Sequence, residues 1–202
     1  MESNKKLVDY LKRSGVLKEK KLEKAMREID RGLFCERSPY ADNAQPIGFG
    51  ATISQPSTVV MMTQALKVKD EDKVLEVGTG SGYQAALLWA MGCRVFSIER
   101  KREVLEKAKA NLEKVGADVK LILGDGSLGW EEEAPYNAII VTAAAPAVPN
   151  QLISQLKDGG RLVIPVGRII QKMKVIEKNK DRLKEKSLGF FQFIPLLGEE
   201  GF

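Results

Sequence analysis

Lys73-Val74-Leu75-Glu76-Val77-Gly78-Thr79-Gly80-Ser81-Gly82-Tyr83-Gln84-Ala85-Ala86 decides the fold. A short apolar run, Lys73–Val77, ends in a glycine cluster, and an apolar helical stretch, Tyr83–Met91, follows at once. Strand, glycine turn, helix is the opening of a βαβ unit.

The pattern repeats downstream. Arg94–Glu99, Asp118–Leu123, Ala138–Thr142 and Arg161–Val166 read as buried strands. Arg102–Val115 reads as a helix with Val104, Ala108, Leu112 and Val115 on one stripe, and 149–156 as a short helix broken by Gly159-Gly160. Lys172–Lys178 and Gly189–Pro195 read as late strands, possible members of a hairpin edge. Strand–helix alternation of this kind predicts a doubly wound α/β domain with a mostly parallel sheet, Rossmann-like, and late antiparallel strands. Upstream, 5–14 and 19–30 read as amphipathic helices, separated by Gly15, with Gly32 closing the second. Residues 33–56 are punctuated by Pro39, Pro46, Gly48, Gly50 and Pro56 and read as a long functional loop. A helix is expected from Pro56 through Leu66. The 202 residues are expected to form one domain, with 1–56 as an N-terminal helical extension and covering loop and 57–202 as the α/β core.

The glycine loop discriminates between ligands. A dinucleotide fingerprint needs G-x-G-x-x-G, but its last place here is Tyr83. Glu76 stands two residues before the first glycine, where a pyrophosphate tolerates a carboxylate poorly. S-adenosylmethionine carries no phosphate but does carry an ammonium and a sulfonium, so Glu76 suits it. The loop Gly78, Thr79, Gly80, Ser81 and Gly82 would approach that ligand with its backbone. Glu99 ends the second strand of this core, where an acid can bond a ribose diol, and Asp125-Gly126 follows the third, within reach of an adenine edge.

Composition narrows the chemistry. The chain has no histidine, which excludes Ser-His-Asp and Cys-His catalysis and histidine metal sites. Cys35 and Cys93 form no CxxC pair, and no metal site is expected. The net charge is +5, with ten basic against six acidic residues in 1–31 and eight against three in 168–186. Opposite charges interleave in both stretches, as on solvated surfaces, so no nucleic-acid partner is expected. No apolar run reaches the ~20 residues a membrane span takes, and a cytoplasmic protein without membrane contacts is expected.

Beyond this core the chain resembles the protein-L-isoaspartate O-methyltransferase family. The resemblance is carried by Gly48-Phe49-Gly50-Ala51-Thr52-Ile53-Ser54-Gln55-Pro56, by the glycine loop, and by Gly124-Asp125-Gly126 and Ala134-Pro135-Tyr136. It continues through Val141–Pro146, Gln155–Leu162, Pro165-Val166-Gly167 and the final Phe193-Ile194-Pro195-Leu196. It implies methyl transfer from S-adenosylmethionine, leaving S-adenosyl-L-homocysteine, to the free α-carboxylate of L-isoaspartyl (and D-aspartyl) residues in damaged proteins and peptides. It implies that Thr52, Ile53 and Ser54 border the acceptor, with Ser54 catalytic, and that Ile194, Pro195 and Leu196 form the opposite wall and pair with an extended peptide. A monomer and an exchanged order of the late strands are also implied. Ala51, Asn43-Ala44-Gln45, Asn137 and Ser57 depart from common family versions, which bears on peptide preference. The rival readings are a methyltransferase acting on a small molecule or RNA, a nicotinamide oxidoreductase, and a cofactor-sensing scaffold.

Overall fold

A computed structural model describes residues 1–180 and 182–202, so Asp181 of the basic stretch 168–186 lies outside the described residues. The central sheet has the order β5-β4-β3-β6-β7-β8-β9. β3 (Lys73–Val77), β4 (Arg94–Glu99), β5 (Val119–Leu123), β6 (Tyr136–Val141) and β7 (Leu156–Val166) are parallel. β8 (Gln171–Asn179) and β9 (Arg182–Phe191) complete it antiparallel, in chain order. From β3 the chain winds outward to β5, then returns to lay β6 on the other side of β3. The crevice at that reversal is where a doubly wound sheet binds ligands.

The central strands read as continuous apolar runs because both faces are covered. Val74 and Ile140 belong to the core under the N-terminal helices; Leu75, Val77, Ile139 and Val141 belong to the opposite core. Period two puts Glu76 on the Val74 face. Helix α4 (Tyr83–Ala90) is buried from Tyr83 through Leu88, which requires cover on every side. The sheet supplies one side. Helices α1 (Asn4–Arg13) and α2 (Lys20–Glu28) help supply the other through Leu7, Leu11, Leu22 and Met26. Helix α3 (Pro56–Leu66) starts on proline at its first turn and packs on β6 and β7. Helix α5 (Arg102–Lys114) buries Val104, Ala108 and Leu112, as its stripe predicts.

Several expectations need correction. Residues 33–56 are not structureless: β1 (Gln45–Gly48) and β2 (Ala51–Ile53) pair antiparallel. Three consecutive positive-φ residues, Gly48, Phe49 and Gly50, make the tip. Gly32 does not close α2; Ile29 turns extended after Glu28, and Gly32 lies in a 3-10 turn capped by Asp30. Helix α6 (Asn150–Ser154) stops before the glycines, and β7 runs straight through Gly159-Gly160. There the register of β6 and β7 shifts, and a Cβ at Gly160 would lie 2.9 Å from the Asn137 carbonyl. The glycines mark a bulge, not a helix stop. The last strand is Arg182–Phe191, and Pro195 makes only an isolated bridge with Ala144.

The basic stretch 168–186 forms much of this late hairpin. Met173 and Val175 point inward, Lys174 pairs with Glu185 at 3.0 Å, and Arg182, Lys184 and Lys186 stand on the open edge. Edge lysines deter strand-to-strand association. Among the described residues no helix is long and apolar enough to cross a membrane.

Because Leu22 is fully buried in the core shared with α4, Leu22→Ala should cost about 2–5 kcal/mol. Urea denaturation followed by tryptophan fluorescence checks this; an unchanged midpoint would show that α2 docks without contributing to stability.

Candidate active site

A single cavity opens beyond the carboxyl ends of β3 and β4. Its lining brings together Thr52, Ile53 and Ser54 from β2 and the turn after it, and Glu76, Gly78, Thr79, Gly80 and Ser81 from the glycine loop. Glu99 and Gly126 join from the next two strand ends, and Ile194, Pro195 and Leu196 come from the C-terminal segment. Segments separated by more than 140 positions thus face one another. Two of the anticipated residues lie outside the lining. Gly82 caps α4 at φ 86, and a Cβ there would press on Leu112 at 3.1 Å, so this glycine serves helix packing. Asp125 accepts from the Ser127 amide and hydroxyl and, at 2.8 Å, from the Glu199 amide. Burial works to raise its carboxyl, but those donors and Arg100 hold it below the usual range. Its oxygens tie the C-terminal tail down.

The loop is braced by its own strand ends. Gly78 N–H donates to the Ile98 carbonyl at 2.8 Å, Thr79 N–H to the same carbonyl at 3.3 Å, and Gly80 N–H to Glu99 Oε2 at 3.1 Å. These amides would cradle a diphosphate in a dinucleotide enzyme. Here a carbonyl and a carboxylate already take them. Thr142 Oγ1 closes the β6 side by donating to the Gly78 carbonyl at 2.7 Å. A Cβ at Gly126 would meet Val77 Cγ1 at 2.5 Å, so only glycine lets this turn close against β3.

Glu76 is the chemical centre of this wall. It is fully buried. Thr79 Oγ1 lies 2.7 Å from Ser97 Oγ, whose proton goes to Glu76 Oε2, so the three form one relay. Glu76 Oε1 has no hydrogen-bond partner among the described residues. Burial, opposed by the Ser97 bond and reinforced by Glu99, pushes this carboxyl up to about 8. An orphaned, buried carboxylate oxygen in a cavity that also holds Glu99 fits a cationic ligand with hydroxyls.

The acceptor side differs from expectation in two details. Ser54 does not cap α3; Gln55 takes that place, and among the described residues no hydrogen bond uses the Ser54 hydroxyl. The helix amide of Ser57 is taken by Asp42 at 2.8 Å. On the opposite wall, Ala144 uses the Ile194 carbonyl and the Leu196 amide at 2.8 and 2.7 Å, so these groups hold the wall rather than face outward.

Four contributors escaped sequence reasoning. Tyr83 lines the cavity with its hydroxyl buried and unpartnered. Arg31 lies behind the wall, donating through Nη2 to the Ser54 carbonyl at 2.9 Å. Lys101 Nζ and Lys107 Nζ, both on or beside α5, hold the Phe49 and Ile47 carbonyls of the hairpin. Tyr83 was visible only as a mismatch in the glycine motif. Nothing in the sequence singled out the others.

The Glu76 carboxyl has an ordinary value of 4.5 when unfolded and about 8 when folded. Between those values the folded chain keeps a proton that the unfolded chain releases, so stability falls as pH rises from ~5 to ~8. Glu76→Gln should flatten that slope in urea denaturation across the window. Parallel slopes in the two proteins would disprove the buried protonated acid.

Residues 2–201 match the family model described as protein-L-isoaspartate(D-aspartate) O-methyltransferase. A protein-L-isoaspartate O-methyltransferase of Chlorobaculum parvum is 47% identical, covering 100% of this chain and 94% of its own. That of Dictyoglomus thermophilum is 46% identical, covering 98% and 92%. A Plasmodium falciparum protein-L-isoaspartate O-methyltransferase, solved in complex with S-adenosyl-L-homocysteine, superposes with a TM-score of 0.87 at 26% identity, covering 98% and 99%. On a full-length match of sequence and fold, this chain belongs to the protein-L-isoaspartate(D-aspartate) O-methyltransferase family.

Proposed function

We propose that the chain is a protein-repair methyltransferase that transfers the methyl group of S-adenosylmethionine to the free α-carboxylate of L-isoaspartyl residues in damaged proteins and peptides. D-aspartyl residues are the second acceptor, as the family description includes them. The observation that carries the reading is the unpartnered Glu76 oxygen, buried in the same cavity as the Thr52–Ser54 and Ile194–Leu196 walls. A cation site and an acceptor site therefore share one enclosure.

When bound, the cofactor supplies a methyl group on a sulfonium, an electrophile that needs no further activation. The residues of the chain bind and orient. Glu76 would hold the ammonium, its ionisation restored by that charge. Glu99 would bond the ribose while keeping Gly80 in place. Gly78, Thr79, Gly80, Ser81 and Gly126 would follow the ligand closely with their backbones. Ser54, with its hydroxyl free, would bond the substrate carboxylate, and Thr52 and Ile53 would close the sides. A carboxylic acid of pKa near 4 is already ionised at neutral pH, so no general base is required, and a chain without histidine can do this reaction. What remains is alignment of acceptor and donor, and exclusion of water.

Gly82 and Asp125 act one step removed, through α4 packing and the C-terminal tail. The working unit is the whole chain as one domain, with 1–56 covering the 57–202 core. We place it in the cytoplasm as a monomer without a nucleic-acid partner; the interleaved charges of 168–186 support the last of these.

Label transfer from S-[methyl-³H]adenosylmethionine to an isoaspartyl peptide, but not to its normal aspartyl twin, is the expected result. Equal labelling of both, or labelling of RNA alone, would overturn the acceptor. Ser54→Ala should lower kcat about tenfold or more with cofactor affinity nearly unchanged. Glu99→Ala should do the reverse, weakening cofactor binding about tenfold to a hundredfold. Calorimetry with S-adenosyl-L-homocysteine separates the two; swapped effects would mean the roles are misassigned.

A further inference from the structure

Arg31 has no exposed surface. Burying a guanidinium is costly unless its charge is matched. Here the match is incomplete. Nε donates to the Pro39 carbonyl and Nη2 to the Ser54 carbonyl, each at 2.9 Å, while Nη1 has no partner among the described residues. Among the described residues none of its donors meets a carboxylate. Asp42, the nearby acid, gives its oxygen to the Ser57 amide at 2.8 Å. Burial lowers the Arg31 pKa, yet a guanidinium stays protonated in proteins.

The charge lies one residue behind the cavity. Its Cζ is 5.2 Å from the centroid of the Tyr83 ring, and Tyr83 and Ser54 both line the cavity. The cavity side of this wall contributes the Ser54 hydroxyl, which makes no hydrogen bond among the described residues, while the buried Tyr83 ring lies between the guanidinium and the cavity. A guanidinium that bonds no carboxylate among the described residues, set behind the Ser54 wall, favours an anion arriving in front of it. The carboxylates of the cavity, Glu76 and Glu99, belong to the strand ends of β3 and β4 instead.

We propose that Arg31 is a positioning residue for the acceptor, fixing the Ser54 backbone and supplying the potential that favours a substrate carboxylate over a neutral isostere. This rests on the acceptor assigned above. The anion is drawn to the wall by the guanidinium, and the Ser54 hydroxyl is aimed by the bond to its own carbonyl.

The test compares an isoaspartyl peptide with its α-carboxamide twin, which has the same shape without the charge. Dissociation constants are measured by fluorescence anisotropy with S-adenosyl-L-homocysteine present. Wild-type protein should prefer the carboxylate about tenfold. Arg31→Met should bring the ratio close to one, whereas a purely structural defect would weaken both peptides alike and leave the ratio unchanged. Arg31→Lys should keep most of the preference while kcat falls, because the two-pronged bond is lost. An unaltered ratio in Arg31→Met overturns the proposal. So does equal affinity of the wild-type protein for the two peptides, a result that needs no variant to fold. Failure of wild-type protein to label the isoaspartyl peptide would instead strike the acceptor assignment itself.

Discussion

A carboxyl group with no exposed surface stands next to last in β3, at the point where the sheet reverses its winding, and the site is organised around that burden. Glu76 can be tolerated there because Ser97, itself bonded to Thr79, satisfies one oxygen and because burial favours the protonated acid. Its other oxygen is left for a ligand. The glycine loop wraps this group, and its amides are held by the neighbouring strand end. A negatively charged ligand would face Glu76 and Glu99 together with amides already bonded elsewhere. The discrimination between a sulfonium nucleoside and a diphosphate is therefore set by bonds within the protein.

The acceptor half is built on a different principle. In the proposed acceptor site the hydroxyl comes from the turn after β2, and the charge comes from Arg31 behind the wall. Arg31 is bonded to carbonyls on the segments before β1 and after β2, so one side chain bridges the two ends of the covering hairpin region. The donor end of the cavity is acidic and the acceptor end is backed by a cation, opposite in sign to the groups each end would receive.

How much of this was legible follows from the range of the contacts. Between residues 73 and 166 the parallel strands could be read because strands buried on both faces are continuous apolar runs, whereas the exposed edge strand, expected at Gly189–Pro195, lies at Arg182–Phe191. β1 and β2 could not, since Pro46, Gly48 and Gly50 erase any period, and Lys101 and Lys107 hold the ribbon from more than 50 positions away. The glycines of β7 resembled a helix stop because a bulge and a terminus use the same residue. Glu76, Glu99 and Gly126 could be placed from strand-end position alone. Asp125 shared that position, but its carboxylate is drawn to an amide 74 residues later, which no local pattern shows. Arg31 was hidden by composition: an arginine amid a charged helix end ordinarily reads as solvated.

The ribbon over the cavity has strands of only four and three residues. A ribbon so short has little stability of its own, and it stays in place through lysine–carbonyl bonds and its seat on the glycine loop. Moving it disturbs none of the ladder bonds of the seven-stranded sheet. The ribbon and the seven-stranded sheet share no strand pairing, so a shift that let a large nucleoside pass would leave the ladder under the pocket floor intact.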